Sequence, residues 1–393
     1  MTHYLTEDDI YRTSTQYRLW SFSPEKLASL RRDTHGTAIA RAREHLAEES
    51  GTDAANVQFL TLDEEVRLVQ RYCSTLSVTC DHLKFAANVK VRRPVSYSLR
   101  TRLHSQATAI QYLKRFYLAN SVHTYPPKEV YKSVLWLASK SEGTHLELSE
   151  YALRMKSPPE QILAPEYKII QALRFTLDVR QPYRGLKGAL MELLNMASGT
   201  AAVLPFVGRT PQQLQQDMAD LPFPAGTRAS SPTDRVLAAY GSARLTVDMP
   251  ALLTDVYFLY TPPQIYLAAL HLADPILTTF YLDSKIPPDS PVRGRILATV
   301  HACAKMLGGF TKESIMSKAE QDELNKKLDV CRDPSTRDLV GAMMAAKRNG
   351  EEEGKLDEAR VKRIKIEREK SVKEGEDLFG PSLLPVGRAE NGG

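Results

Sequence analysis

Cysteine is scarce in this chain: Cys73, Cys80, Cys303 and Cys331 are all it has among 393 residues. Their spacing offers no close pair followed by a second pair, which excludes a thiolate zinc module. Cys73 and Cys80 fall about two turns apart on one helical face, and all four read as free thiols of a reducing compartment. Long apolar runs are missing as well. No uninterrupted stretch approaches the ~20 residues of a membrane span, and residues 1–20 are polar, without the apolar centre of a signal peptide. No membrane partner is expected, and the composition points to a cytosolic or nuclear protein.

Catalytic signatures are equally thin. There is no phosphate loop, no H-E-x-x-H, no G-x-S-x-G and no kinase motif. Gly308-Gly309 reads as a helix stop. His104 and His301 lie in helical stretches, where packing or exposure is the plain account. Asp8-Asp9 and Glu64-Glu65 sit at helix starts, where acids complement the helix dipole. Neither a catalytic residue nor a cofactor or metal is expected. The net charge of +5 is too small to argue for nucleic acid. Arg92-Arg93, Arg100 and Arg102 form a basic cluster without interleaved aromatics, a solvated face rather than a specific nucleic-acid site.

What the chain does have is helical periodicity. Residues 1–20 read as loosely structured. Ser23 then caps a helix with Pro24 in its first turn; Leu27, Leu30 and Ile39 lie on it, and the helix is so polar through Glu49 that it must lie on a surface. Thr61-Leu62-Asp63-Glu64 is a capping box, followed by Val66, Val69, Cys73, Leu76 and Cys80 at helical spacing. Residues 105–120 are apolar on nearly every side, which marks a helix surrounded by others. Tyr125-Pro126-Pro127 punctuates, 130–140 forms another buried helix, and Pro158-Pro159 starts one running to about Leu177. Period-2 alternation and hairpin turns are absent, so this half reads as five helices around one central helix.

Gln181-Pro182-Tyr183 marks a boundary. Helices are expected at 183–197, 232–249, 262–274, 276–283 and 292–307, with 199–232, rich in proline and glycine, as a long loop insertion. A further helix covers about 313–331. The tail beyond Ala346 alternates charge, with Glu351 to Lys355 and Glu358 to Lys362 at helix-supporting spacing. It reads as a frayed or flexible segment, and its Lys362-Arg363-Ile364-Lys365 is either a nuclear import signal or a solvated charge run.

Two charges stand out. Leu163, Glu166, Ile170 and Leu173 share a helical face, so Glu166 interrupts an apolar stripe, and an unpaired buried carboxylate is costly. Lys140 ends the run Val134-Leu135-Trp136-Leu137-Ala138-Ser139. Either Lys140 caps its own helix and Glu166 finds solvent or an internal partner, or both heads protrude from an apolar patch and engage another protein.

Several stretches resemble one family. Lys114-Arg115-Phe116-Tyr117-Leu118-Ala119-Asn120-Ser121-Val122, Gln16-Tyr17-Arg18-Leu19-Trp20-Ser21-Phe22-Ser23 and Asp255-Val256-Tyr257-Phe258-Leu259-Tyr260-Thr261-Pro262-Pro263-Gln264-Ile265 are similar to the cyclin family, and within it to the cyclin H group. Leu137-Ala138-Ser139-Lys140, Glu166-Tyr167 and Leu173-Arg174-Phe175 match the general cyclin-box pattern. The resemblance covers roughly 16–332, with the 205–231 segment and the tail as departures. It implies an all-α fold of two tandem five-helix cyclin boxes, with an N-terminal and a C-terminal helix outside them. The expected division is 1–55 extension and helix, 56–180 first box, 181–310 second box with the 199–232 insertion, 311–345 C-terminal helix and 346–393 flexible tail.

The resemblance further implies a nuclear, non-catalytic activator of a cyclin-dependent kinase. The partners it implies are the Cdk-activating kinase catalytic subunit, a RING-finger assembly subunit and general transcription factor IIH. Their targets would be the RNA polymerase II C-terminal domain and cell-cycle kinases. By family pattern Lys140 and Glu166 hydrogen-bond the backbone around the kinase αC helix, and Leu137, Ile170 and Phe175 make apolar contacts. The N-terminal helix and the 313–331 helix pack together on the first box. Ser141-Glu142-Gly143 departs from the family, which leaves a kinase contact there open, and 65–76 lacks the substrate-docking patch of cell-cycle cyclins. The alternatives are a transcriptional cyclin of the C, K or T type, which shares the mechanism, and a DNA-binding cyclin-fold factor like transcription factor IIB, whose N-terminal zinc ribbon is missing. A helical-repeat scaffold has no fixed period to support it. Ser23, Thr210, Ser231, Thr261 and Ser290 precede proline, mostly as helix caps or loop residues.

Overall fold

A computed structural model describes residues 7–50, 57–83, 95–143, 146–223 and 230–348, and the regular structure among them is entirely helical. The Arg92-Arg93 pair, the side chains of Arg100, Arg102 and His104, and the charged tail lie outside the described residues.

Residues 7–20 are helical, not loose. They form α1 (Glu7–Thr13) and α2 (Thr15–Trp20), with Ser14 accepting the Tyr17 N–H to cap α2. Polarity misled the reading here: one aromatic anchor, Trp20, is only 2% exposed, and burying so large a side chain suffices to dock a short polar helix. α3 (Pro24–Ser50) starts as expected, with the Lys26 N–H donated to Ser23 Oγ. It buries a thin line of Leu27, Ala38, Ala42 and Leu46. Charge supplies the rest of its attachment: Arg31 forks onto Asp255 at 2.7 and 2.8 Å.

In α4 (Leu62–Leu83) the capping box is formed in both directions, Glu64 N–H to Thr61 Oγ1 and Thr61 N–H to Glu64 Oε2. α5 (Val95–Ala119) is the hub of this half; every side chain from Ser105 to Leu118 is buried. α6 (Pro127–Ser141) packs against it, and α7 (Leu148–Met155) joins this half through the next helix. The helix expected from Pro159 to Leu177 is broken into α8 (Pro159–Leu163) and α9 (Glu166–Ala172). Pro165 has no N–H to donate, so the ladder breaks there and the Leu163–Leu173 face is not continuous.

The second half opens with α10 (Tyr183–Ala197). The 199–232 segment is not a plain loop. It holds a 3-10 turn at Pro205–Val207 and α11 (Pro211–Ala219), which starts from a Thr210–Gln213 capping box and buries Leu214 and Met218 against α10. The start signal was present in the sequence but hidden among prolines. α12 (Pro232–Asp248) leads to two single turns, α13 (Pro250–Leu253) and α14 (Val256–Leu259). Their apolar residues are almost all buried, and α13 bridges the halves by packing on α4 and α5. α15 (Pro262–Ala273) is the second hub, flanked by α16 (Pro275–Asp283) and α17 (Arg293–Gly308), which stops at Gly308-Gly309 as expected. Arg235 and Asp274, both almost fully buried, pair across this half at 2.7 and 2.9 Å.

The last long helix, α18 (Lys318–Cys331), lies against α3 and α4. It ends at Cys331, as expected for the 313–331 helix, and Arg332 and Asp333 turn extended ahead of Pro334, as the residue before a proline prefers. Residues 1–337 form one compact unit. Residues 338–393 form a second, in which 339–348 are helical and Asp338 accepts the Gly341 N–H.

Candidate protein-interaction surface

Lys140 lies in the last turn of α6 and Glu166 in the first turn of α9. Each charge therefore sits at the helix end whose dipole favours it. The break at Pro165 aims the start of α9 at the end of α6, and the Lys140 ammonium is paired with the Glu166 carboxylate. Their side chains keep 38% and 16% of their exposure, and Lys140 Nζ rests 5.5 Å from the Trp136 ring centre. The two heads are thus brought together at the surface.

The apolar residues around them divide in two. Ile170 is half-buried, while Tyr167 and Phe175 are 61% and 66% exposed. Leu137 does not belong to the exposed set. At 4% exposure it packs in the core beneath.

Phe175 is held outward by an unusual turn. Arg174 and Phe175 both adopt left-handed backbone, with φ of 53° and 56°, which costs a non-glycine residue roughly 1–2 kcal/mol. The turn is closed by Arg174 N–H to Gln171 O, Phe175 N–H to Ile170 O and Thr176 N–H to Leu173 O. The Trp20 Nε1–H donates to Thr176 Oγ1 at 3.0 Å, and the Arg174 and Arg115 guanidiniums lie 5.5 and 5.0 Å from the Trp20 ring. Gln16 joins the same brace by accepting from Arg115 and from the Arg180 N–H. Burial lowers the Arg115 pKa to about 10, which still leaves it charged at neutral pH. Non-glycine residues at positive φ in an exposed turn mark a place where surrounding structure enforces a shape. Periodicity carries no signal for this brace; the quoted resemblance at residues 16–23 was the one available clue.

Ser141-Glu142-Gly143 is tied inward. The Tyr112 hydroxyl donates to Leu177 O (2.6 Å) and lies 3.1 Å from Ser141 Oγ, while Thr108 donates to Glu142 (2.7 Å). Burial pushes the Tyr112 phenol up to about 12. Gly143 takes a φ of 66° with open space around it, a backbone that suits glycine.

One cluster has the composition of a metal site: His35, Glu65 and His123. Its ligand atoms are already committed. His123 Nε2 accepts the Leu60 N–H (3.1 Å) and Nδ1 meets Ser121 Oγ (3.1 Å). Glu65 accepts the Val122 N–H (2.9 Å) and meets His35 Nδ1 at 2.5 Å. The cluster is a hydrogen-bonded brace joining α3, α4 and the turn after α5. A second brace centres on the fully buried Asp333, which accepts from Arg41 (2.8 Å), Ser335 N–H (2.9 Å) and Ser335 Oγ (2.7 Å), with His45 Nδ1 at 2.8 Å. Burial pushes its carboxyl up, but the bonds from Ser335, His45 and Arg41 outweigh that and hold it below the usual carboxylate range.

Comparison with known proteins agrees with this architecture. Residues 181–308 match the Cyclin C-terminal domain family. The chain is 31% identical to Cyclin CCL1 of Saccharomyces cerevisiae, over 72% of this chain and 63% of that protein, so it spans just under two thirds of that relative. It is 28% identical to Cyclin mcs2 of Schizosaccharomyces pombe, over 88% and 92% of the two chains. A chain in the solved structure of the CAK complex from Chaetomium thermophilum bound to ATP-gamma-S is 35% identical, with a TM-score of 0.69 over 88% of this chain and 96% of that one. A chain of the yeast TFIIK (Kin28/Ccl1/Tfb3) complex solved by cryoEM is 26% identical, with a TM-score of 0.52 over 76% and 100%.

Proposed function

This chain belongs to the cyclin family and is of the cyclin H type, and we propose that it is the cyclin subunit of a cyclin-dependent kinase in the kinase module of general transcription factor IIH. In this reading it is a regulatory, non-catalytic, nuclear partner. A RING-finger assembly subunit joins it, and the kinase it activates phosphorylates the RNA polymerase II C-terminal domain and cell-cycle kinases. The relatives found in CAK and TFIIK complexes support the reading.

The observation that carries the site is the Lys140–Glu166 pair at the edge of exposed Tyr167 and Phe175. A protein kinase is active when its αC helix is rotated inward and its glutamate pairs with the ATP-binding lysine. A stiff helical face that binds this arrangement better than the inactive one selects it from the equilibrium. In the free chain Lys140 and Glu166 neutralise each other. On docking, the ammonium turns to backbone carbonyls and the carboxylate to backbone N–H groups around αC, fixing orientation through charge-assisted bonds. Ile170 and Phe175 provide apolar contact.

The test is co-purification with the kinase and a kinase assay on Lys140→Ala, Glu166→Ala and Phe175→Ala chains. The proposal expects weaker binding and activation in each. Binding and activation unchanged in the Lys140/Glu166 double variant would sink the assignment of this surface.

A further inference from the structure

We propose that Ser290 is a phosphoacceptor for proline-directed protein kinases. Six serine or threonine residues precede a proline: Ser23, Ser157, Thr210, Ser231, Thr261 and Ser290. Ser157, just ahead of α8, donates its hydroxyl to Gln161 Oε1 at 3.2 Å. At Ser23, Thr210, Ser231 and Thr261 the proline is the first residue of α3, α11, α12 or α15. Ser23, Thr210 and Ser231 spend their hydroxyls accepting an N–H of the first turn, at 3.2, 3.2 and 3.1 Å. Thr261 is the N-cap of α15, its own N–H held by Gln264 at 2.9 Å. The residues after each of these four are coiled into a helix. They cannot extend along a kinase's peptide groove until that helix unwinds.

Ser290 differs in where its proline lies and in what its hydroxyl does. It stands in the connection between α16 and α17, and the N-cap of α17 is Val292, so Pro291 and Val292 precede the helix. Its hydroxyl makes no side-chain hydrogen bond among the described residues. Two backbone bonds hold it, from its N–H to Pro287 O and from the Arg293 N–H to its carbonyl, both 3.1 Å. Around it the chain reads Ser290-Pro291-Val292-Arg293. The proline ring, with no N–H to satisfy, suits an apolar slot just past the reacting hydroxyl. Arg293 offers a cation two residues further on.

The surroundings suit the product as well. α17 opens with Arg293 and Arg295 and has no acid in its first turn, the reverse of what a helix dipole favours. A phosphate of charge about −2 just ahead of that helix end meets both the dipole and the arginines. Arg295, Lys285 and Val292 line one groove of this half. Asp289 is the adjacent opposing charge, while Asp283 is already paired with Arg293. In the transfer, Ser290 Oγ attacks the γ-phosphorus of Mg·ATP. The Oγ–P bond forms, the bond to the bridging β,γ oxygen breaks, ADP departs, and the hydroxyl proton passes to the kinase's catalytic carboxylate.

The experiment incubates the full chain with an active cyclin-dependent kinase of the proline-directed type and ATP, and maps phosphate by mass spectrometry. Expected is at least about tenfold more phosphate on Ser290 than on any capping position, equivalent to ~1.4 kcal/mol of helix unwinding. Ser290→Ala should lose the label, Ser290→Thr should regain it as phosphothreonine, and phosphorylation should raise the melting midpoint less in Arg295→Ala. Label on a capping residue with Ser290 empty would overturn the proposal. So would a synthetic 286–296 peptide that is phosphorylated while the folded chain is not, or failure of both.

Discussion

The Trp20 indole N–H is bonded to Thr176 Oγ1 across 156 positions of sequence. The bond ties the polar N-terminal extension to the turn that holds Phe175 outward. Trp20→Ala should cost ~3–5 kcal/mol, as removal of a buried aromatic does, and should also weaken kinase binding although Trp20 is itself buried. Trp20→Phe keeps most of the packing and should cost only about 1 kcal/mol, the net worth of one hydrogen bond. Urea unfolding and kinase co-purification on both variants separate the two contributions.

Lys140 and Glu166 should matter far more for binding than for folding. The pair is partly exposed, so its removal should change stability by under ~1 kcal/mol. Each single truncation should weaken kinase binding by roughly 2–4 kcal/mol, much of it from partner groups left unpaired. A double-mutant cycle read by calorimetric titration against the kinase checks both numbers; a stability loss as large as the binding loss would mark the pair as structural.

His123 makes the fold sensitive to mild acid. Burial lowers its pKa from the ordinary 6.5 to about 4, with the Glu65 carboxylate favouring the proton and His35 opposing it. Below pH 6.5 the unfolded chain binds a proton that the folded chain refuses until about pH 4. Stability should therefore fall as pH drops through that window, by up to about 3 kcal/mol. Urea unfolding between pH 7 and pH 4 should show this slope. His123→Gln, whose amide oxygen can still accept the Leu60 N–H, should flatten it by about one proton.

Asp333 should be needed to hold α3. Removing its carboxylate leaves Arg41 and His45 without their common partner and the Ser335 N–H without its acceptor; with Arg41 45% exposed, the cost should be about 1–3 kcal/mol. Limited proteolysis of Asp333→Ala should therefore cut within 36–50 at protease concentrations that spare the native chain. Equal resistance would mean that the thin apolar line of Leu27, Ala38, Ala42 and Leu46 suffices.

Periodicity made α4, α5, α6, α10, α12, α15, α16 and α17 readable, because each carries apolar residues at helical spacing, and α4, α12, α15 and α16 also have an N-cap side chain. It failed where one residue does the work of many. α1 and α2 depend on the single anchor Trp20, and α11 on Leu214 and Met218 in a stretch whose prolines read as loop. Pro165, visible in the sequence, was given too little weight, and it breaks a helix expected to continue. At the proposed site, Lys140, Glu166, Leu137, Ile170 and Phe175 carry over from the family pattern, but the burial of Leu137 was not legible, since helical spacing does not say which neighbour covers a residue.

By itself the sequence determined the helical class, the central helix of the first half and the candidate pair of charges, because these follow from local periodicity and residue type. Only the tertiary structure decided that α6 and α9 meet end to end, that Trp20 braces the Phe175 turn, and that His35, Glu65 and His123 converge. Those relations join positions dozens to more than a hundred residues apart, and such contacts depend on how packed helices fill space rather than on any pattern along the chain.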